Sequence, residues 1–235
     1  MFSESAELYD AIYATFKDYA AESLRVAELV RGVHPNPRTI LDTACGTGEH
    51  VKHLRRSHRF VVDGLDIDQA MLAVARRKVP EASFFEADMS SFALDKSYDA
   101  VLCLFSSIGY LRTLDRVTAA LDCFRQHLNE GGVVVVEPWF APGVLQPGRR
   151  DVKQADVGAT HVERSSAIAV EDRLSTIIFE YKITGGGNAA FAREEHKLGL
   201  FTPEETLECF RAAGLNATWD PQGLIGRGLF VARIR

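Results

Sequence analysis

Between residues 39 and 137 the chain repeats one unit, a short apolar run followed by a stretch with helical spacing. The runs are TILD (39–42), FVVDGLD (60–66), SFFEAD (83–88), YDAVLCLF (98–105) and VVVVE (133–137). EHVKHLRR (49–56), DQAMLAVARRK (68–78) and residues 114–128 lie between them and carry apolar residues at three- and four-residue intervals. Strands alternating with helices of this length form βαβ units, and a strand buried on both faces of a parallel sheet reads as a nearly unbroken apolar run. This repetition excludes an all-helical bundle or an all-β sandwich for the first 137 residues.

The pattern is different on either side. From about Glu4 to Arg31 it is helical, with Leu8, Ile12, Phe16, Leu24 and Leu29 forming the apolar stripe and a break expected near residues 17–19. HPNP (34–37) ends that region, since proline removes a donor and restricts its predecessor. Residues 138–153, rich in Pro, Gly and charge, read as a loop. ATHVERSSAIAV (159–170), RLSTIIFEYKIT (173–184) and FAREEHKLGLF (191–201) then alternate polar and apolar residues, which predicts an antiparallel meander of three strands with a turn at residues 185–187. A helix follows, capped by Thr202, with Pro203 in its first position and Gly214 past its end. Strands at 217–220 and 228–234 close the chain. The domain reading is one α/β domain (1–140 and 200–235) with a β insertion (154–200).

Composition narrows the function classes. A formal net charge of −5 offers no basic surface for phosphate backbones, so nucleic acid is not expected as a partner. Four cysteines, Cys45, Cys103, Cys123 and Cys209, are widely spaced without C-x-x-C, which suggests neither a disulfide framework nor a zinc knuckle. The acidic start MFSESAELYDAIYATF lacks a signal-peptide pattern, and no apolar stretch reaches about 18 residues, so a cytoplasmic protein away from membranes is expected.

The chemistry begins where the first strand runs into its helix, at Asp42-Thr43-Ala44-Cys45-Gly46-Thr47-Gly48. Glycines there let a ligand approach the backbone while the helix offers free N–H groups, although a glycine pair alone also suits a plain tight turn. Asp66 ends the second strand 20 residues beyond Gly46, where an acid can accept ribose hydroxyls. Asp88 and Met89 follow the third strand, where a carboxylate can receive an adenine amino group and a thioether can pack on the ring. Three such features in register favour a nucleoside ligand. Dinucleotide sites expect G-x-G-x-x-G, but this turn reads A-x-G-x-G and is followed by Glu49, which would repel a pyrophosphate. S-adenosylmethionine (SAM) is favoured.

DTACGTG, the acid of GLDID, the ADM triplet and LNEGGVVVVEPW resemble the class I SAM-dependent methyltransferases. More narrowly, YDAIY, KDYAAE, CLFSSIGYL, VVVVEPWF, EEHKLGLFT and GRGLF resemble the N,N-dimethyltransferases acting on nucleotide-linked 3-amino-deoxysugars in macrolide biosynthesis. The resemblance runs over almost the whole chain. It implies a Rossmann-like α/β fold, with a seven-stranded, mostly parallel sheet, an antiparallel β insertion and N-terminal helices (1–33) folded over the cofactor. It assigns cofactor binding to Tyr19, Asp42, Ala44, Gly46, Gly48, Asp66, Ile67, Met71, Asp88, Met89 and Phe105. Tyr9, Tyr110 and Glu137 would orient the acceptor as the catalytic group, and Tyr13, Ser106, Ser107, Trp139, His196 and Arg227 would contact it, Arg227 meeting a substrate phosphate. One departure stands out, since those sugar enzymes carry His where this chain has Tyr110 after Ser-Ser-Ile-Gly.

Methyl transfer from a sulfonium is an in-line displacement, in which positioning can supply on the order of 7–11 kcal/mol of the barrier. An amine need only arrive neutral, so a strong base is not obligatory. The expectation is an N-methyltransferase for a small amine, foremost a nucleotide-linked amino sugar, with a homodimer as the candidate assembly. An alkaloid or aryl acceptor, a hydroxyl acceptor, or a SAM-binding module without turnover remain open. His50 and His53 read as a solvated helix face, Cys45 lacks a neighbouring base, and no Asp and Asn cluster follows the fourth strand, so no metal is expected.

Overall fold

In a computed structural model, described for residues 6–185 and 188–234, the chain forms two sheets flanked by six helices. The start of the expected N-terminal helix at Glu4, and part of the turn at 185–187, lie outside the described residues. The main sheet is built from β1 (Thr39–Thr43), β2 (Val61–Asp66), β3 (Phe84–Glu86), β4 (Tyr98–Cys103), β5 (Leu128–Val136), β10 (Leu215–Asp220) and β11 (Leu229–Ile234). Its order is β10-β11-β5-β4-β1-β2-β3. The five strands from β1 to β5 run parallel to one another, whereas β11 pairs antiparallel with both β5 and β10.

The apolar runs fill the middle of this sheet because both faces are covered. One face packs Leu41, Val101, Val134 and Phe230 against Leu121 and Phe124 of α5 (Leu114–Gln126) and Phe210 of α6 (Pro203–Ala212). The other packs Ile40, Val62, Leu102 and Val135 against α2 (Tyr19–Val33), α3 (Glu49–His58) and α4 (Gln69–Lys78) through Val26, Leu54 and Leu72. α6 starts on a full capping box, with Thr202 and Glu205 bonding each other's backbone N–H and Pro203 at the first turn. Gly214 takes φ of +76° just past its end, the conformation in which glycine commonly stops a helix.

After β1 the chain moves to β2 and β3 on one side, then returns to β4 on the other. The crevice beyond the carboxyl ends of β1 and β4 is thus the switch point at which open α/β sheets hold ligands.

The second sheet differs from expectation. It has four strands, β6 (Arg150–Val157), β7 (Thr160–Glu171), β8 (Leu174–Gly185) and β9 (Asn188–Gly199), in that order and all antiparallel. The region read as a loop ends at Arg149, and residues 150–157 pair with β7. RDVKQADV hides this strand because β6 is an exposed edge, where charged side chains are tolerated and alternation with a buried face is weak. α1 (Ala6–Tyr13) bridges the sheets: Ala6 packs on Met71 and Val74 of α4, and Ile12 packs on Val162, Phe179 and Tyr181 of β7 and β8. Phe16 and Leu24 of the expected apolar stripe are instead exposed, at 47% and 48%.

Candidate active site

At the switch point lies a cavity of about 400 Å³, within the size range of small-molecule sites. Ala44 and Gly46 from the β1 turn, Asp66 and Ile67 from the end of β2, and Met71 from α4 line one part of it. Asp88 and Met89 follow β3 and line the next, and Tyr9, Ser107, Tyr110 and His196 close the far side. A narrower space of about 50 Å³ shares Tyr9, Ala44, Gly46 and Ser107 and adds Tyr19, Asp42 and Phe105. Apart from Gly48, every residue assigned to the cofactor borders one of these two spaces.

The two glycines of the turn have separate work. Gly46 has φ of +54°, and a Cβ built on it would meet no protein atom within 4 Å, so its missing side chain leaves room toward the cavity. Gly48, at φ of +76°, caps α3, and a Cβ there would lie 3.2 Å from Cβ of Ala75. It therefore serves the close approach of α3 to α4. Asp66 fixes the turn, its carboxylate accepting from the N–H of Gly46 at 2.7 Å and of Asp68 at 2.9 Å. Asp88 accepts from Ser90 and from Arg116 at 2.6 Å, which hold its carboxyl below the usual range against the effect of burial.

Asp42 is 2% exposed, and its Oδ2 has no hydrogen-bond partner. Burial, reinforced by the nearby Asp66 carboxylate, pushes its pKa up to about 8. A buried acid in this state is costly without a donor, and the narrower space it borders is where a cationic group would supply one. Glu49 also borders that space but is paired with Lys52 and Lys78. Its charge is thus largely matched, so it is the missing third glycine that disfavours a pyrophosphate here.

A second layer stands behind Phe105. The backbone turns left-handed at Phe105 (φ +52°) and Ser106 (φ +64°), conformations that are strained for residues with side chains. Three interactions hold this turn. Glu137, fully buried, accepts from the Phe105 N–H at 2.7 Å; Ser106 Oγ donates to the Pro138 carbonyl at 2.7 Å; and Arg227 Nη1 donates to Ser106 Oγ at 3.1 Å. The Arg227 guanidinium also lies 5.2–5.6 Å from the Phe105, Trp139 and Phe140 ring centres. Burial raises the pKa of Glu137, while Lys17 and Arg227 pull it back. Tyr13 stacks on Tyr9 at 4.1 Å and meets Phe105 edge-on at 5.3 Å. Glu137, Tyr13, Ser106, Trp139 and Arg227 therefore line neither space but support the residues that do.

Sequence reasoning missed Lys17, Glu22 and Arg164. Lys17 is buried, ion-paired with Glu22, and places its ammonium 4.0 Å from the Phe105 ring centre. His50, expected on a solvated face, is 7% exposed and bonds Glu22 at 2.9 Å, because α2 covers that side of α3. Arg164 lies buried over the Tyr13 and Phe179 rings. Local signals existed only for the first pair, since a Lys five residues before a Glu flanks the break between two helices. Among the described residues no group of three or more His, Cys, Asp or Glu is placed to hold a metal, and no helix is long and apolar enough to cross a membrane.

A methyltransferase-domain model matches residues 40–132. The chain is 41% identical over 97% of its length, and 89% of the relative's, to a dTDP-3-amino-3,6-dideoxy-alpha-D-glucopyranose N,N-dimethyltransferase of Streptomyces fradiae. Among solved structures it resembles Streptomyces venezuelae DesVI, with a TM-score of 0.92, 35% identity and 98% of both chains covered. It also resembles SAM-bound CalS10, an amino pentose methyltransferase from Micromonospora echinaspora, with a TM-score of 0.85, 32% identity, and 96% and 95% covered.

Proposed function

The chain belongs to the class I SAM-dependent methyltransferases, among the sugar N-methyltransferases, and from that membership we propose that its acceptor is the amine of a nucleotide-linked amino sugar. The observation that carries the proposal is the likeness to the Streptomyces fradiae enzyme along 97% of this chain, because it includes the second sheet that walls the far side of the cavity. Bound SAM supplies an electrophilic methyl on a sulfonium. The chain's own residues bind, orient and exclude water.

In this reading Gly46 leaves room for the methionine end, and Asp42 meets its α-ammonium, the donor that the buried Oδ2 lacks. Asp66 accepts the ribose hydroxyls with the lone pairs that Gly46 and Asp68 leave free. Ile67, Met71 and Met89 sandwich the adenine, and Asp88 receives its amino group. Ala44 and Tyr19 wall the methionine end, and Phe105 backs the sulfonium. Tyr9, Tyr110 and Ser107 then define the direction from which a nucleophile approaches. The left-handed turn at Phe105 and Ser106, fixed by Glu137 and Arg227, presses that wall inward. The rings that border these spaces, Tyr9, Phe105 and Tyr110, offer an aromatic surface that attracts an ammonium product by about 0.5–2 kcal/mol, with Tyr13 packed behind Tyr9 and Phe105. Because Arg227 is held by Ser106 and the rings, a substrate phosphate would have to share it with them.

The test is turnover with dTDP-3-amino-3,6-dideoxyglucose and SAM, read by mass spectrometry. Stepwise gain of one and then two methyl groups with matching S-adenosylhomocysteine is expected. No methylation of this or any other nucleotide amino sugar, alongside turnover of an aryl amine or a hydroxyl acceptor, would overturn the proposal.

A further inference from the structure

Tyr110 does not stand alone. It follows β4 on a short 3₁₀ turn (Ser107–Leu111), and Gly109 beside it lets that turn press on the second sheet, where a Cβ would come within 2.9 Å of Trp139 and 3.2 Å of Leu198. The Tyr110 hydroxyl is thereby brought 2.9 Å from Nδ1 of His196 on β9. The opposite ring nitrogen, Nε2, lies 3.6 Å from Oε2 of Glu194 on the same strand. That carboxylate also accepts from the Tyr181 hydroxyl of β8 at 3.0 Å. His196 is 1% and Glu194 6% exposed, yet Tyr110 and His196 both border the cavity. A hydroxyl at the reaction cavity is thus hydrogen-bonded to a buried imidazole whose far nitrogen faces a buried carboxylate.

We propose that Tyr110, His196 and Glu194 form a proton relay that neutralises the incoming substrate ammonium before methyl transfer. The inference rests on the acceptor being an amine. An N–H bond of the ammonium breaks as its proton passes to the Tyr110 oxygen, while the Tyr110 proton passes to Nδ1 of His196. The amine keeps the freed electron pair for attack, and the charge resides on an imidazolium facing Glu194. After product release the Nδ1 proton returns to the Tyr110 oxygen while the Tyr110 proton passes to solvent in the cavity, which restores the starting tautomer, and a second passage prepares the monomethylated amine in the same way.

The surroundings suit this sequence. Burial, then Tyr13, Asp66, Glu194 and Tyr181, hold the Tyr110 hydroxyl well above its ordinary pKa, so it passes a proton without resting as phenolate. Among the described residues, His196 is faced by Tyr110 from the 3₁₀ turn, by Glu194 on its own strand, and by the tilted Phe179 ring of β8, with Tyr181 of β8 bonded to Glu194. Behind Phe179 lies Arg164 of β7, which also contacts Tyr13 of α1. Glu194 is the carboxylate in contact with the imidazole and offsets that cation, while Tyr181 orients it. Tyr110 touches the substrate in this scheme; His196 and Glu194 act through it.

Two measurements test the relay. The first is the ¹⁵N NMR shift of His196 in the S-adenosylhomocysteine complex, since the relay requires Nδ1 to accept and Nε2 to carry hydrogen. That tautomer is expected, and the Nδ1–H tautomer overturns the proposal without any reference to turnover. The second is the pH profile of kcat/KM with dTDP-3-amino-3,6-dideoxyglucose. Wild type should stay flat below the pKa of the amine for as long as the relay is free to take up a proton, whereas Tyr110→Phe and His196→Gln should fall roughly tenfold per pH unit over that same range. The gap should narrow once the amine arrives neutral, and Glu194→Gln should fall between. Parallel profiles for all proteins, or losses of the same size at every pH, would reduce these residues to packing. If wild type does not methylate the sugar, the substrate reading fails while the tautomer still decides the relay.

Discussion

Replacing Asp42 with Asn probes how the cleft receives a charged ligand. Asp42 ends β1 with 2% exposure and an unpartnered Oδ2, and burial followed by Asp66 raises its pKa to about 8. At pH 7 a carboxyl of that pKa is protonated in about nine chains of ten. The folded state then holds a proton that the unfolded chain releases near pH 4. This group therefore lowers stability as pH rises from about 4 to about 8, the opposite of a salt-bridged acid. A cation entering beside it favours the ionised form, so binding the α-ammonium of SAM should expel the proton. Calorimetric titration at pH 7 in buffers of different ionisation enthalpy measures that release. Wild type should release about 0.9 proton per SAM more than Asp42→Asn, and its affinity should strengthen up to tenfold per pH unit below 8. Equal release in the two proteins would refute both the placement of the methionine end and the protonated resting state.

Gly46→Ala adds a methyl that meets no protein atom but occupies the space left for the ligand; it should cost about 1–2 kcal/mol of stability from its positive φ and, by calorimetry, far more SAM affinity than that strain explains. Asp66→Asn keeps an oxygen for the Gly46 N–H and should weaken SAM by roughly 1.5–3 kcal/mol, the worth of a charged hydrogen bond; unchanged affinity would remove Asp66 from the ribose site. Asp10 ties α1 to Thr47 and to Lys78, which also pairs with Glu49, so Asp10→Asn should speed S-adenosylhomocysteine release up to about fivefold, as expected for a partly exposed pair. Hydrogen exchange over residues 8–30 should slow when that ligand binds, and equal protection with and without it would mean that α1 and α2 do not close over the cleft.

The parts of this fold that were legible from sequence share a physical basis. Continuous apolar runs such as YDAVLCLF mark strands covered on both faces, and the glycine turn follows from backbone conformation that few other residues adopt. What was hidden depends on distant neighbours. β6 is charged because it lies at an edge, His50 is buried only because α2 crosses α3, and nothing local to Tyr110 announces a bond to His196, 86 residues further along. Likewise the acid of VVVVE signals a need for a donor, but only the folded chain supplies the N–H of Phe105 as its partner. Cofactor residues cluster at strand ends that sequence periodicity can locate, whereas the acceptor wall is assembled from α1, the 3₁₀ turn and β9.

A crystal structure of the ternary complex with S-adenosylhomocysteine and dTDP-3-amino-3,6-dideoxyglucose tests the central claim most directly. The account predicts the sugar nitrogen facing the cofactor sulfur with room for one methyl between them, within hydrogen-bond reach of the Tyr110 hydroxyl and beside Tyr9. A sugar nitrogen turned away from the sulfur, or bound beyond the reach of both tyrosines, would contradict it.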